Sequence, residues 1–139
     1  MKSPSTWPAT IVVGVDLSPE SRAALEHAAV LGARTGATVV TVHAVGLLEA
    51  SGARPHVDVA ALVADVAAAL GENAGGLAPP VIEDGPAADV VVRVADRLEA
   101  DLIVVGRRGL DDATAPLGST STKLVERARH PVLVVTADG

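Results

Sequence analysis

The residues with the clearest capacity for chemistry lie in one run, Asp101-Leu-Ile-Val-Val-Gly-Arg-Arg-Gly-Leu-Asp-Asp-Ala-Thr-Ala-Pro-Leu-Gly-Ser-Thr-Ser-Thr122. Gly106, Gly109 and Gly118 punctuate it, and the hydroxyl residues Ser119, Thr120, Ser121 and Thr122 open a helical pattern. Glycine lets backbone N–H groups turn toward a ligand and lets that ligand come close. A helix start adds N–H groups without intrahelical partners and the positive end of a dipole. Together these features describe a cradle for an anion, with phosphate the usual guest. Arg107 and Arg108 would add guanidinium charge, which pairs well with phosphate. Plainer readings stand beside these. The glycines serve only to turn the chain after a strand, and the arginines are solvated loop charges.

Asp16 is the second candidate. It follows the apolar run Ile11-Val-Val-Gly-Val15 and has two roles open to it. One is to accept hydrogen bonds from an adenine amino group or a ribose hydroxyl. The other is to cap the turn before Ser18. Asp111 and Asp112 divide in the same way, between reaching a Mg²⁺ on a nucleotide and forming a solvated acidic loop. Other constellations fail. Gly118-Ser-Thr-Ser-Thr-Lys123 lacks the Gly before Lys that a P-loop requires. No G-x-G-x-x-G follows the first strand, and no G-x-S-x-G elbow exists. His27, His43, His56 and His130 show no metal-ligand spacing. No nucleophile–base pair emerges, so no catalytic residue is assigned.

The elements that must position these residues alternate along the chain. Ile11–Val15, Thr38–Val45, Val81–Ile82, Leu102–Val105 and Val132–Val135 are apolar, β-branched runs of strand type. Between them lie helical patterns. Ser18-Pro19-Glu20 starts the first, with a hydroxyl cap, Pro at the first position and an early acid, and Gly36 stops it. Val59 to Leu70 forms the second, within a long connection whose tail, Asn73 to Pro80, is a Gly/Pro loop. Val90, Val91, Val94 and Leu98 make one stripe on the third, and Ser119 to about Arg129 forms the fourth. Continuous apolar strands alternating with amphipathic helices predict an α/β protein, an open, doubly wound, five-stranded parallel sheet with helices on both faces. Such sheets bind ligands beyond the carboxyl ends of their strands, where the strand order reverses. Asp16 and Gly106 both end strands, and one crevice holds both if those strands are neighbours.

Composition narrows the partners. The 139 residues are read as a tail, 1–10, and one domain, 11–139. The core must be built from Ala, Val and Leu, because the chain has no Phe or Tyr and Trp7 is its one Trp. Small side chains allow close approach of helix and sheet. A formal charge of −6 argues against a nucleic-acid partner, which needs a basic face. The absence of Cys excludes disulfides and thiolate metal sites. The stretch Met1–Pro8 has no apolar run of signal-peptide length and no segment approaches a membrane span, so a soluble cytoplasmic protein is expected.

The chain resembles a universal stress protein of the small, single-domain kind. Six pieces carry the likeness, in family order: Ile11–Ser18, Thr38–Val45, Asp84-Gly-Pro86, Asp101–Gly109, Gly118-Ser119 and Pro131–Val135. The resemblance implies strand order 3-2-1-4-5, which makes the strands bearing Asp16 and Gly106 neighbours. It implies two subclasses, one of which binds ATP through G-x2-G-x9-G-[ST]. By similarity to that subclass, Asp16 meets the adenine edge or ribose, with Gly14 and Val15 beside the base and Ala44 as a wall against it. Gly106, Arg108 and Gly109 line the ribose–phosphate side, and Gly118, Ser119, Thr120 and Ser121 hold the phosphates. The implied ligand is ATP, with Mg²⁺ where the acidic loop is used; AMP and cyclic AMP suit the same pocket. The chain departs from the motif in one place: eight residues, Leu110 to Leu117, separate Gly109 from Gly118 where the family has nine. The resemblance also implies a homodimer that pairs Val132–Val135 with its copy. Two other functions remain open, a nucleotide-free interaction module and a weak ATPase, although no general base is evident for hydrolysis.

Overall fold

A computed structural model describes residues 7–46, 54–108 and 117–137. In chain order it contains strand β1 (Thr10–Gly14), helix α1 (Pro19–Thr35), β2 (Thr38–Val45), α2 (Pro55–Leu70), a 3₁₀ turn (Gly71–Asn73), β3 (Gly76–Leu77), β4 (Val81–Asp84), α3 (Ala87–Arg97), β5 (Leu102–Gly106), α4 (Ser119–Arg127) and β6 (Val132–Val135). All five pairings within the sheet are parallel. The strand path is β3-β2-β1-β5-β6, with β4 also on β2. This is the expected doubly wound sheet, with β1 flanked by β2 on one side and β5 on the other.

The strand count differs from expectation. The segment read as a Gly/Pro loop contains β3, which pairs with Thr38 and Val39 at the start of β2, while β4 pairs with Val42 to Val45 further along. Pro79 and Pro80 lie between them and have no N–H to donate, so the edge ladder breaks into two short pieces. Helix α2 also begins earlier than its apolar pattern suggested, with Pro55 in the first turn.

Local chemistry explains helix α1. Ser18 Oγ accepts the Ser21 N–H at 3.1 Å, Pro19 occupies the first turn, and the chain stops at Gly36, whose φ of 78° suits a residue without Cβ. Two cores lie on opposite faces of the sheet. Ile11, Val13, Val104 and Val39 meet Leu25 and Ala28 of α1 and Val59 and Val66 of α2. Val12, Val42, Ile103 and Val105 meet Val90, Val91 and Val94 of α3 and Leu124 of α4. The lack of large aromatics is used as close approach. A Cβ on Gly75 would lie 2.6 Å from the backbone of Gly32 and Ala33, so the chain leading into β3 rests directly on α1. Among the described residues no helix is long and apolar enough to cross a membrane.

Candidate functional site

The carboxyl ends of β1 and β5 lie side by side, with Val13 in register with Val104. The chain leaves β1 through Gly14, Val15 and Asp16, and leaves β5 through Gly106, Arg107 and Arg108. The neighbourhood that the family resemblance implied for Asp16 and Gly106 is therefore present, at the point where strand order reverses. Ala44 is half-buried on β2, in register with Glu83 of β4. Gly109, Asp111 and Asp112 lie outside the described residues.

The β1 end is held by backbone and side-chain contacts. The Val15 N–H donates to the Val42 carbonyl at 2.9 Å. His43 is buried, and its Nδ1 lies 2.8 Å from the Val15 carbonyl, so this histidine is a packed, hydrogen-bonded residue. Asp16 Oδ1 accepts the Ser18 N–H at 3.0 Å, which is the capping role considered for it. Leu17 between them has φ 69°, in the left-handed region. A tight turn thus joins Asp16 to the start of α1.

The β5 end is pinned from both sides of the sheet. On the α4 side, Ser121 Oγ donates to the Gly106 carbonyl at 2.6 Å, and the Gly118 N–H donates to the Arg107 carbonyl at 2.7 Å. Gly118 is the N-cap of α4 and supplies no side-chain cap. The first helical bond runs from the Thr122 N–H to the Gly118 carbonyl. Ser119 is exposed and Thr120 half-buried at that helix start. On the α1 side, a Cβ on Gly106 would lie 2.8 Å from the backbone of Glu20. Gly106 is therefore required for helix–strand packing, whatever it does for a ligand.

Glu20 is the residue that sequence reasoning missed. It is buried in the first turn of α1. Its Oε2 accepts the Arg108 N–H at 2.7 Å, its Oε1 accepts from Arg108 Nη2 at 3.2 Å, and Arg107 Nη2 stands 3.6 Å from Oε1. Burial alone would push this carboxyl up. The Arg108 amide and guanidinium hydrogen bonds and the charges of both arginines outweigh it, and the carboxyl sits below the usual carboxylate range. The arginines are thus engaged rather than merely solvated. The acid in the first helical turn was the only signal for Glu20, and it points to the helix dipole rather than to a loop 88 residues away. A shallow cleft elsewhere, between α3 and α4, is lined by Asp89, Arg93, Asp96, Lys123 and Arg127. Its charges are of both signs and partly paired with each other, as in Arg127–Asp89 at 3.7 Å, so it presents no comparable anion cradle.

Comparisons with known proteins agree with this architecture. The family model for the universal stress protein family matches residues 9–136. Universal stress protein Rv2005c of Mycobacterium tuberculosis is 31% identical over 141 residues, covering 94% of this chain and 46% of that protein. The chain thus spans about half the length of the curated relatives it matches. A universal stress protein solved in complex with cAMP superposes with a TM-score of 0.73 at 29% identity, covering 92% of this chain and 96% of the other. A universal stress protein family protein of Arabidopsis thaliana, solved with AMP bound, shares the fold at a TM-score of 0.65 and 21% identity, covering 93% of this chain and 92% of its own. The chain belongs to the universal stress protein family.

Proposed function

We propose that this chain binds an adenine nucleotide at the carboxyl ends of β1 and β5 and acts in the cytoplasm, in stress response or signalling, through interactions that depend on the bound ligand. One observation carries the reading: β1, which leads into Asp16, and β5, which ends at Gly106, are neighbours at the strand-order reversal, and the Gly118 N–H at the start of α4 is bonded to the Arg107 carbonyl. The cAMP complex of a relative with the same fold supports it. In this reading Asp16 meets adenine or ribose, with Gly14, Val15 and Ala44 around the base. Gly106, Arg108 and Gly109 face ribose and phosphate, and Gly118 to Ser121 face the phosphates. Because the Gly118 N–H and the Ser121 hydroxyl already serve the loop, Thr120 and the positive end of α4 carry more of the phosphate contact. ATP with Mg²⁺ is the proposed ligand, and AMP and cyclic AMP are the alternatives.

The test is mass spectrometry of small molecules released from purified protein, followed by calorimetric titration with Mg-ATP, AMP and cyclic AMP. Asp16→Asn retains an acceptor for the Ser18 N–H and removes the charge; it is expected to weaken nucleotide binding about tenfold. A protein that comes out empty and gives no heat with all three nucleotides overturns the reading.

A specific observation also favours self-association. Strand β6 is at the end of the sheet path, and Leu133 on it is exposed. An apolar edge strand is a template for pairing, and we propose that two copies pair through Val132–Val135.

A further inference from the structure

The loop after β5 carries an anion of its own. Two guanidinium groups, Arg107 and Arg108, share one carboxylate, Glu20. That carboxylate also takes the Arg108 N–H, a backbone donor of the kind a glycine-punctuated loop offers to phosphate. The Arg108 N–H and guanidinium hold the Glu20 carboxylate, and the backbone that carries it is held too. That backbone is wedged against Gly106, and α1 is capped on both sides of it by Ser18 and Gly36. The compensation is incomplete. Arg107 meets Glu20 only at ion-pair distance, and its buried Nε finds no hydrogen-bond partner among the described residues. One carboxylate against two guanidinium groups leaves these three side chains with a formal net positive charge, and the backbone of Arg107 is tied to the Gly118 start of α4.

We propose that Glu20 is a specificity-determining residue, an internal anion seated on the Arg107–Arg108 pair that lowers the loop's affinity for polyanionic ligands and so narrows its preference for a triphosphate over a monophosphate. This rests on the nucleotide-binding reading only for the identity of the ligand. The anion competition itself is a property of the loop. A ligand bearing one phosphate brings the least negative charge, about −1.5 to −2, against the fixed carboxylate. A triphosphate brings charge that the loop could use only if Glu20 were absent or displaced, and Coulomb repulsion from the fixed carboxylate acts on each added phosphate.

The experiment titrates wild type, Glu20→Gln and Glu20→Gln/Arg107→Gln/Arg108→Gln with inorganic tripolyphosphate, AMP and ATP at low salt. The side-chain carbonyl introduced by Glu20→Gln can still accept the Arg108 N–H, so the loop keeps its main restraint, and circular dichroism checks the fold. Glu20→Gln is expected to bind tripolyphosphate and ATP about five- to tenfold more tightly than wild type, with AMP changed by less than about twofold. The gain is expected to vanish in the triple variant. Should Glu20→Gln fold poorly, Glu20→Asp, which withdraws the carboxylate by one methylene, is expected to show a smaller gain of the same kind. Equal tightening of AMP and ATP, a loss for all three ligands, or no tripolyphosphate binding by any variant overturns the proposal. If AMP and ATP bind neither wild type nor variant while tripolyphosphate still shows the gain, the nucleotide reading fails and the role of Glu20 stands.

Discussion

Leu17 is where the backbone departs from what its side chain prefers. It sits at φ 69°, exposed, between Asp16 and the capping Ser18. A non-glycine residue in the left-handed region costs about 1 kcal/mol or somewhat more, and a β-branched one fits worse. The turn holds because both neighbours over-determine it: Asp16 Oδ1 takes the Ser18 N–H, and Ser18 Oγ takes the Ser21 N–H. Leu17→Ile is expected to destabilise the protein by about 1 kcal/mol or more. Leu17→Gly should stay close to wild type, since relief of strain is offset by the greater freedom of glycine in the unfolded chain. Urea denaturation of the three proteins checks the order, and an Ile variant as stable as wild type contradicts it. The strain bears on the proposed nucleotide contact, because this turn also sets where the Asp16 carboxylate stands. Asp16 was legible as a site candidate because an acid ending a buried strand is conspicuous. That its Oδ1 would cap the turn was one of two open roles, and the left-handed Leu17 had no signal at all, because leucine is not a residue that announces such a φ.

Helix α1 and strand β5 meet more closely than any residue with a Cβ at position 106 would allow. In Gly106→Ala the new methyl would lie 2.8 Å from the backbone carbonyl carbon and 2.9 Å from the Cβ of Glu20, which a side-chain rotation cannot relieve. Overpacking of this kind costs about 1–3 kcal/mol. Gly76→Ala is the matched control, because a Cβ there meets nothing within 4 Å, and it is expected to change stability by less than about 0.5 kcal/mol. Equal denaturation midpoints for the two variants would refute the packing account of Gly106. This contact also shows what the sequence could and could not disclose. The long apolar strands β1, β2, β5 and β6 were evident from runs of Val and Ile, and α1 from Ser18, Pro19 and Gly36, because those signals are local. The two-residue β3 was hidden, since Gly76-Leu77 has no period to detect and Pro79-Pro80 marks only where the ladder must break. Glu20 was hidden for a different reason. A first-turn acid has a sufficient local explanation in the helix dipole, and only tertiary contact reveals that its carboxylate is spent on Arg108.

At the scale of the whole molecule, the sheet is covered on both faces by side chains no larger than leucine, and its edges are treated differently. The β2 side ends in two short strands separated by prolines, β3 and β4, a form that discourages pairing with another chain. The β6 side ends in four consecutive apolar residues with Leu133 exposed, and lacks those devices except for Pro131 at its start. The ladder geometry separates its two sides. Ile103 donates to the Pro131 carbonyl and Arg107 to the Val135 carbonyl. Alternation along a parallel strand therefore turns the backbone groups of Val132 and Val134 toward the open edge. Val134→Pro removes an edge-facing N–H while leaving the β5 ladder its donors and acceptors, and proline is tolerated on an edge strand. If β6 pairs with its copy, light scattering at micromolar concentration is expected to show a dimer for wild type and a monomer for Val134→Pro, with the circular dichroism spectrum retained. Leu133→Lys, which places a charge on the exposed apolar surface, is expected to shift the equilibrium the same way. A wild-type monomer, or a Val134→Pro variant that remains fully dimeric, contradicts pairing through this strand. The proposed nucleotide site at Asp16 and Gly106 is at the carboxyl end of the sheet rather than along this edge, so nucleotide affinity of the monomeric variant should stay within about twofold of wild type, as distant sites without shared partners do.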